Sequence, residues 1–379
     1  MTTSFKILLW CLMTTGFAFG YAGLVLPGQT AILETPRADT YQFQRLHIFL
    51  FNLVGGGAVL LSFTQGQQKL SWRLKVYLVG SIVFSLAAFL NLYLIAIGIA
   101  IMLALVVESI RVERFSFVPL DFFSFAKPVA QKFHHAAVLC LSLGLFISAG
   151  VMFNNNYLHL VRSSHLLLDD FFLGFSFPLS LMAFSIMFSL ASPDSRQWVT
   201  FARQASFWIV TVGVIIFFVF IIIGSLLLEF LAASLLLLDV LLIFYLFKLD
   251  IQELGEPEEF LISGMLFLVL TGITGLVLVL WNGFWLNNKT SWDLLLQIHA
   301  YLSLYGWNLA GLTVMIHYYE FPLRLHSLDV TLLHWTTVIL VAPTADRLPV
   351  LAIVAIPLFA ILLGLILFAP GNTHNLQKR

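Results

Sequence analysis

Charged residues are scarce in this sequence, and their scarcity decides its class. Only 10% of the 379 residues are charged, whereas 60% are hydrophobic and the mean hydropathy is +0.98. A soluble domain of this length has no core large enough to hide so many apolar side chains. The net charge is zero and the basic residues are scattered, which excludes a nucleic-acid partner. We therefore predict a polytopic protein embedded in a lipid bilayer.

Cysteine is almost absent as well. The two thiols, Cys11 and Cys140, both lie in apolar stretches far apart in the sequence. This pattern indicates neither a disulfide framework nor a metal site built on thiolates. We interpret both as small core residues.

Long hydrophobic runs are what the sequence has in excess. A helix of about 20 apolar residues crosses the hydrocarbon core of a bilayer, and this length predicts twelve helices. Helix 1 is interpreted as a retained helix, because no small-residue cleavage site follows it. The run 74–110 is too long for one crossing, so we divide it near Asn91 into helices 3 and 4. The other ten are predicted at residues 7–26, 43–63, 135–153, 166–190, 207–227, 231–247, 260–281, 294–316, 328–341 and 349–368, with Glu229 in a tight turn between helices 7 and 8.

Positive charge sets the expected orientation. With a cytoplasmic N-terminus, 14 of the 19 Lys and Arg fall in inner loops and tails. The exceptions are Arg37, Arg45, Arg162, Lys289 and Arg347. This asymmetry favours twelve crossings with both termini cytoplasmic. We expect residues 1–379 to form a single transmembrane domain in a bacterial or archaeal cytoplasmic membrane.

Three predicted helices begin with the same pattern, a histidine followed by leucine and then glycine. His47, His165 and His299 lie near the starts of helices 2, 6 and 10, and each has leucine three residues later. The intervals of 118 and 134 residues are close to four helices each, as a threefold pseudo-repeat of four-helix units would produce. Because even-numbered helices all enter from the outer face, the three imidazoles share one expected depth. They either converge on a buried metal or haem iron, or are unrelated histidines that bond across helices.

The sequence HAYLSLYGW from His299 resembles the helix-10 motif of the catalytic subunit of the haem-copper oxidase and nitric oxide reductase superfamily. That motif contains HxHL with a glycine five residues after the second histidine. The resemblance implies a twelve-helix pseudo-threefold bundle with His299 as the proximal ligand of a b-type haem. It also implies His47 as a low-spin haem ligand and His165 as a ligand of a distal copper or iron. The segment HLLLDD is similar to the reductases' HxxxE pattern, with Asp169 near the place of the glutamate.

Two departures from the family pattern limit what the resemblance implies. Tyr301 stands where the family has the second histidine of HxH, and predicted helix 7 contains no histidine at all. One imidazole does not hold a copper or a non-haem iron, so we expect no distal metal and no family-type reduction of oxygen or nitric oxide. Arg347, in the predicted outer loop before helix 12, falls where the superfamily keeps arginines that pair with haem propionates.

The expected function is a haem-binding or scaffold subunit of a respiratory membrane complex, with other subunits and possible cytochrome c-type donors as partners. Two alternatives stay open. One is a cofactor-free transporter or assembly factor, in which the histidines line a polar cavity or pair with Asp169 and Asp170. The other is a divergent reductase with unfamiliar ligands.

Three further features have expected roles. Asp239 is a candidate for proton relay or helix pairing. His134 and His135 are expected at the membrane interface. The glycines Gly55 to Gly57 permit close approach of either a helix or a flat macrocycle.

Overall fold

The fold is entirely α-helical in the part of the chain that the structure, a computed structural model, describes. The described residues are 1–25, 43–66, 70–160, 175–190, 196–250, 257–284, 289–318 and 328–369. They contain no β-strand. This confirms the predicted all-α class.

Twelve helices, α1 to α12, follow one another along the described residues. Four of them change their winding along their length, through a π-helical or 3₁₀ segment. The bounds are α1 Thr3–Val25; α2 Phe43–Ile48, π-helical Phe49–Gly56 and Gly57–Gln65; α3 Trp72–Phe89; α4 Tyr93–Arg114; α5 Val129–Phe153; α6 Phe177–Leu190; α7 Gln197–Ile223; α8 Leu226–Asp250; α9 Pro257–Phe284; α10 Lys289–Tyr301, π-helical Leu302–Asn308 and Leu309–His317; α11 Leu328–Trp335, π-helical Thr336–Val341 and Ala342–Arg347; and α12, the 3₁₀ turn Pro349–Leu351 followed by Ala352–Phe368. A 3₁₀ turn, Leu120–Phe123, lies between α4 and α5, and a π-helical turn, Asn154–Leu158, follows α5.

Nine helices of the described residues are long and apolar enough to cross a membrane. The three outside this set are α6, whose described part is short, and α10 and α11, which carry more polar side chains. The chain is therefore a polytopic helical membrane protein. The apolar stretches of the nine predict lipid as their surroundings.

The predicted break between helices 3 and 4 is confirmed at Asn91. Its φ of 59° is left-handed, a conformation that asparagine tolerates better than most residues. The amide of Asn91 donates to the carbonyl of Ala88 at 3.2 Å, and the amide of Leu92 donates to that of Ala87 at 2.8 Å. These two bonds close α3 with a Schellman motif, in which asparagine takes the place usual for glycine.

The predicted turn at Glu229 is wrong. The chain turns at Gly224, whose φ is 73°, and Glu229 lies buried in the first turn of α8. Glycine adopts positive φ without steric cost, so the helix ends there, while the charge of Glu229 is compatible with an N-terminal turn. Helix α7 also starts ten residues earlier than predicted, at Gln197.

The described chain divides into two compact units. Unit 1 comprises Met1–Leu120, His135–Leu179 and Thr344–Phe368, and unit 2 comprises Asp121–His134, Ser180–Pro343 and Ala369–Arg379. In unit 1, α12 packs on α1, where Phe359 stacks on Phe17 with ring centroids 4.0 Å apart. In unit 2, an aromatic core joins Phe133 to Phe184 and Phe207.

Candidate functional site

His299 lies in unit 2, on the last full turn of α10 before its π-helical segment. Its Nδ1 is 3.0 Å from the carbonyl oxygen of Thr271 and 3.1 Å from the hydroxyl of Thr274, both on α9. The hydroxyl proton of Thr274 is engaged by the carbonyl of Leu270 at 2.9 Å. Helix α9 therefore offers this nitrogen two acceptors.

These contacts determine the tautomer of the His299 ring. A carbonyl oxygen only accepts hydrogen bonds, so Nδ1 carries the proton and donates it to Thr271. In the neutral ring Nε2 then keeps its lone pair. Among the described residues, no hydrogen bond to Nε2 occurs. A ring held by Nδ1 with Nε2 available is the arrangement that histidine ligands of metals usually have.

A glycine of α9 lets the His299 ring pack closely. A Cβ placed on Gly275 would come within 3.1 Å of Cε1 of His299. Glycine at 275 therefore leaves the space that the imidazole edge occupies. The ring is confined by this contact and by its two bonds to α9.

His47 lies in unit 1 and has the same kind of neighbour. A Cβ placed on Gly20 of α1 would come within 3.2 Å of Nδ1 of His47. In both units the histidine thus packs on a glycine of the preceding helix. In both, a π-helical segment follows, Phe49–Gly56 after His47 and Leu302–Asn308 after His299.

The two histidine helices also share a hydrogen bond at one register. Six residues after His47, the carbonyl of Leu53 accepts from the hydroxyl of Tyr77 on α3 at 2.9 Å. Six residues after His299, the carbonyl of Tyr305 accepts from Nε2 of His334 on α11 at 2.6 Å. Both donors are fully buried. Each π-helical segment therefore has a carbonyl bonded by the next helix in the chain.

The remaining predicted site residues fall in different places. His165, Asp169 and Asp170 lie outside the described residues. Tyr301 is half-buried and stacks on Tyr305 with ring centroids 5.7 Å apart. Arg347 is exposed and is the last residue of α11, so its predicted place in a loop is wrong. The helix does not end at Val341, because its π-helical segment continues into Ala342–Arg347.

His47 and His299 belong to separate units, and the structure brings each together with its own neighbouring helices. For His299 these neighbours include the hydrogen-bond partners Thr271 and Thr274, and for His47 they include the close contact with Gly20. Convergence of the three histidines stays a prediction.

The glycines Gly55 to Gly57 serve helix packing. A Cβ on Gly55 would come within 3.1 Å of Met13 on α1, and one on Gly56 within 2.5 Å of Leu179 on α6. A Cβ on Gly57 would collide with the hydroxyl of Tyr77 on α3. Three consecutive glycines therefore admit three different helices, and protein side chains occupy the space above each.

Two buried polar clusters lie outside the predicted site residues. In unit 1, the guanidinium of Arg111 is paired with Glu108 and lies 2.7 Å from Nε2 of His135. His135 was expected at the interface, but it is fully buried and stacked on Phe115. In unit 2, the ammonium of Lys132 donates to the side chain of Gln204 at 2.5 Å. In the sequence, only the spacing of Glu108 and Arg111, three residues apart on one helix, indicated that these two side chains pair.

Asp239 pairs helices, one of the two roles expected for it. Its Oδ1 accepts from the hydroxyl of Ser206 at 2.8 Å, which joins α8 to α7. Both side chains are buried. A hydrogen bond between helices offsets part of the cost of placing a carboxyl in an apolar layer.

No protein-family model and no curated protein matches this chain. Within the described residues, no group of three or more His, Cys, Asp or Glu side chains is arranged to hold a metal ion. The geometry around His299 is therefore the main guide to function.

Proposed function

We propose that the chain is a haem-binding membrane subunit of an electron-transfer complex, with His299 as the axial ligand of one b-type haem. The observation that carries the proposal is the hydrogen bond from Nδ1 of His299 to the carbonyl of Thr271, at 3.0 Å. This bond orients the ring and leaves Nε2 as the unprotonated nitrogen. A donor in place of this carbonyl would have fixed the opposite tautomer, with the proton on Nε2, and removed the lone pair that iron needs.

The residues around His299 fit an axial ligand in two respects. The Nδ1–H bond raises the basicity of Nε2, and Gly275 allows the ring to stand against α9 without a steric clash. When bound, a haem supplies one-electron transfer. On this proposal His165 or His47 is the sixth ligand, Arg347 pairs with a propionate, and Tyr301 replaces the family's second histidine.

The matching surroundings of His47 and His299 support the pseudo-threefold, twelve-crossing arrangement implied by the resemblance to haem-copper oxidases. For each of these two histidines, the preceding helix contributes a glycine that packs on the ring. The following helix contributes a donor to the carbonyl six residues after the histidine. The proposal includes other subunits of the complex and a cytochrome c-type donor as partners. It includes no distal copper or iron, because the sequence of α7 contains no histidine.

Absorption spectroscopy of the purified protein, oxidised and then dithionite-reduced, tests the proposal. We expect at most one haem per chain by pyridine haemochrome quantitation, with a low-spin spectrum that carbon monoxide does not change. His299→Ala should abolish haem binding, and His165→Ala should produce a high-spin form that reacts with carbon monoxide. His159→Ala is the matched control, because His159 is exposed.

Three outcomes contradict parts of the proposal. Two haems per chain would show that Tyr301 does not remove a haem site. Conversion by His47→Ala in place of His165→Ala would assign the sixth ligand to His47. Protein purified without haem, from cells supplied with haem precursor, would favour the cofactor-free transporter or assembly factor.

A further inference from the structure

The segment between α4 and α5 exposes large apolar side chains outside the membrane-spanning helices. Phe117 is 73% exposed, Leu120 69%, Phe123 70% and Phe125 73%. Lipid-facing positions on a spanning helix need no explanation, but these four lie on the connection between Arg114 and Val129. Exposed aromatic residues in a connection indicate an interaction surface.

Buried cations hold this connection in shape. In unit 1, Arg111 donates from Nη1 to the carbonyl of Ser116 and from Nη2 to that of Phe117, both at 3.0 Å. In unit 2, the ammonium of Lys132 donates to the carbonyl of Phe122 at 2.8 Å. These bonds engage backbone oxygens, so the segment does not depend on burying Phe117, Leu120, Phe123 or Phe125.

Two other aromatic residues of the same segment are buried, so core packing and surface exposure involve different side chains. Phe115 is buried and stacks on His135 with ring centroids 4.6 Å apart. Phe122 is buried and packs edge-on against Phe207 at 5.2 Å. Core packing therefore uses Phe115 and Phe122. The exposed set stays largely uncovered, although Phe123 tilts against Trp208 with ring centroids 5.1 Å apart and the ammonium of Lys132 lies 5.9 Å from the ring centroid of Phe125.

The covalent connections identify the occupant of this surface. Both ends of the segment continue directly into helices that qualify as membrane spans, Tyr93–Arg114 and Val129–Leu158. A connection this short stays at the bilayer surface. Arg114 and Lys127 are exposed near its two ends, which complements the negative surface of a leaflet that contains anionic lipids.

We propose that residues 115–128 form an interfacial membrane anchor. Phe117, Leu120, Phe123 and Phe125 insert at the boundary between headgroups and acyl chains, and Arg114 and Lys127 bind anionic headgroups. This inference is independent of haem binding, since it rests on a different part of the chain.

Spin-label accessibility tests the anchor in the full chain. In a Cys11→Ala, Cys140→Ala background, a label is attached at Phe117→Cys, Phe123→Cys or Phe125→Cys. The protein is reconstituted in vesicles of phosphatidylcholine and phosphatidylglycerol in equal parts. Val83→Cys, on an exposed position of α3, serves as the lipid reference, and Thr2→Cys serves as the water reference.

We expect labels at 117, 123 and 125 to collide preferentially with oxygen, like the label at 83. Removing phosphatidylglycerol, or combining Arg114→Gln with Lys127→Gln, should move them toward the aqueous nickel reagent. Preference for nickel at all three positions in the mixed vesicles, as at position 2, would overturn the anchor. Protection from both reagents would also overturn it, because that result indicates a protein covering the segment.

Discussion

Helices α2 and α10 carry the same histidine arrangement in different surroundings. Both have a ring on a glycine of the preceding helix, a π-helical segment, and a bonded carbonyl six residues on. The difference lies in the helix that receives the ring. One and four residues before Gly275, α9 has Thr274 and Thr271. One and four residues before Gly20, α1 has Phe19 and Gly16. The shared framework is backbone and glycine, and at α9 the hydroxyl of Thr274 also contacts the ring.

The largest expected effect concerns the glycines that follow the histidines. A Cβ on Gly306 would lie 2.5 Å from Cγ of Phe267, a fully buried ring stacked on Trp335 at 4.4 Å. We expect Gly306→Ala to lower the free energy of unfolding by about 3 kcal/mol, because this ring has no room to move. Gly56→Ala meets the terminal methyls of Leu179 and should cost about 1 kcal/mol.

Thermal unfolding in detergent, followed by circular dichroism, measures both glycine variants. Gly98→Ala on α4 is the matched control, since nothing lies within 4 Å of its Cβ, and it should stabilise the helix by about 0.5 kcal/mol. A greater loss for Gly56→Ala than for Gly306→Ala would break the comparison.

The carbonyl bonds give the next largest effect. Tyr77→Phe leaves the buried carbonyl of Leu53 without its donor and should cost about 1–2 kcal/mol. His334→Phe should cost less, because Nδ1 of His334 has no hydrogen-bond partner among the described residues and its removal relieves a desolvation cost. Chemical denaturation of each variant measures the difference, with Tyr245→Phe, at an exposed position on α8, as control. Equal losses for Tyr77→Phe and Tyr245→Phe would contradict the bond to Leu53.

The glycines beneath the rings sharpen the comparison directly. Each added methyl in Gly20→Ala or Gly275→Ala would press on an imidazole edge, at 3.2 Å from His47 and 3.1 Å from His299. If the two arrangements are equivalent, both variants lose about 1 kcal/mol of stability. Parallel thermal melts of the two variants test this expectation. A gain in stability for either variant, like that expected for Gly98→Ala, would show that its ring moves aside freely.

The smallest effect should follow from Thr274→Val. His299 keeps the carbonyl of Thr271 as its acceptor, so the loss should stay below about 1 kcal/mol. The Nδ1–H tautomer should persist, and ¹⁵N chemical shifts of the His299 ring report it. A switch of the proton to Nε2 would show that the hydroxyl of Thr274, and not the carbonyl, fixes the ring.

Hydropathy predicted the all-helical class and the nine candidate membrane spans of the described residues, because bilayer thickness sets a similar minimum length for each span. The break at Asn91 was predictable from run length, although asparagine alone does not announce a Schellman motif. The turn at Gly224 was missed because Glu229 offered a charge, and charge indicated a loop more strongly than a single glycine did. The start of α7 was also missed, because its first residues are too polar to be assigned to an apolar span. Helix ends of this kind depend on packing, which hydropathy does not measure.

The histidines were predictable as candidates, but their partners were not. Spacing identified His47 and His299, since an ionisable ring in an apolar segment is uncommon. Tyr77 and His334 bond to backbone carbonyls on other helices, and no local pattern encodes such a contact. Buried charges such as Arg111 and Lys132 were read only as markers of orientation, because the sequence does not show which positively charged residues turn inward.

The Schellman turn at Asn91 also bears on how the protein is assembled. Helices α3 and α4 are joined by only the few residues that this turn contains. Contacts between them close a very short loop, so they form with little loss of chain entropy and ahead of contacts between distant helices. The pair can therefore enter the bilayer as one preformed hairpin, in which Asn91 is the one polar side chain of a turn that also contains Leu90 and Leu92. A single asparagine therefore shortens the connection on which this early pairing depends.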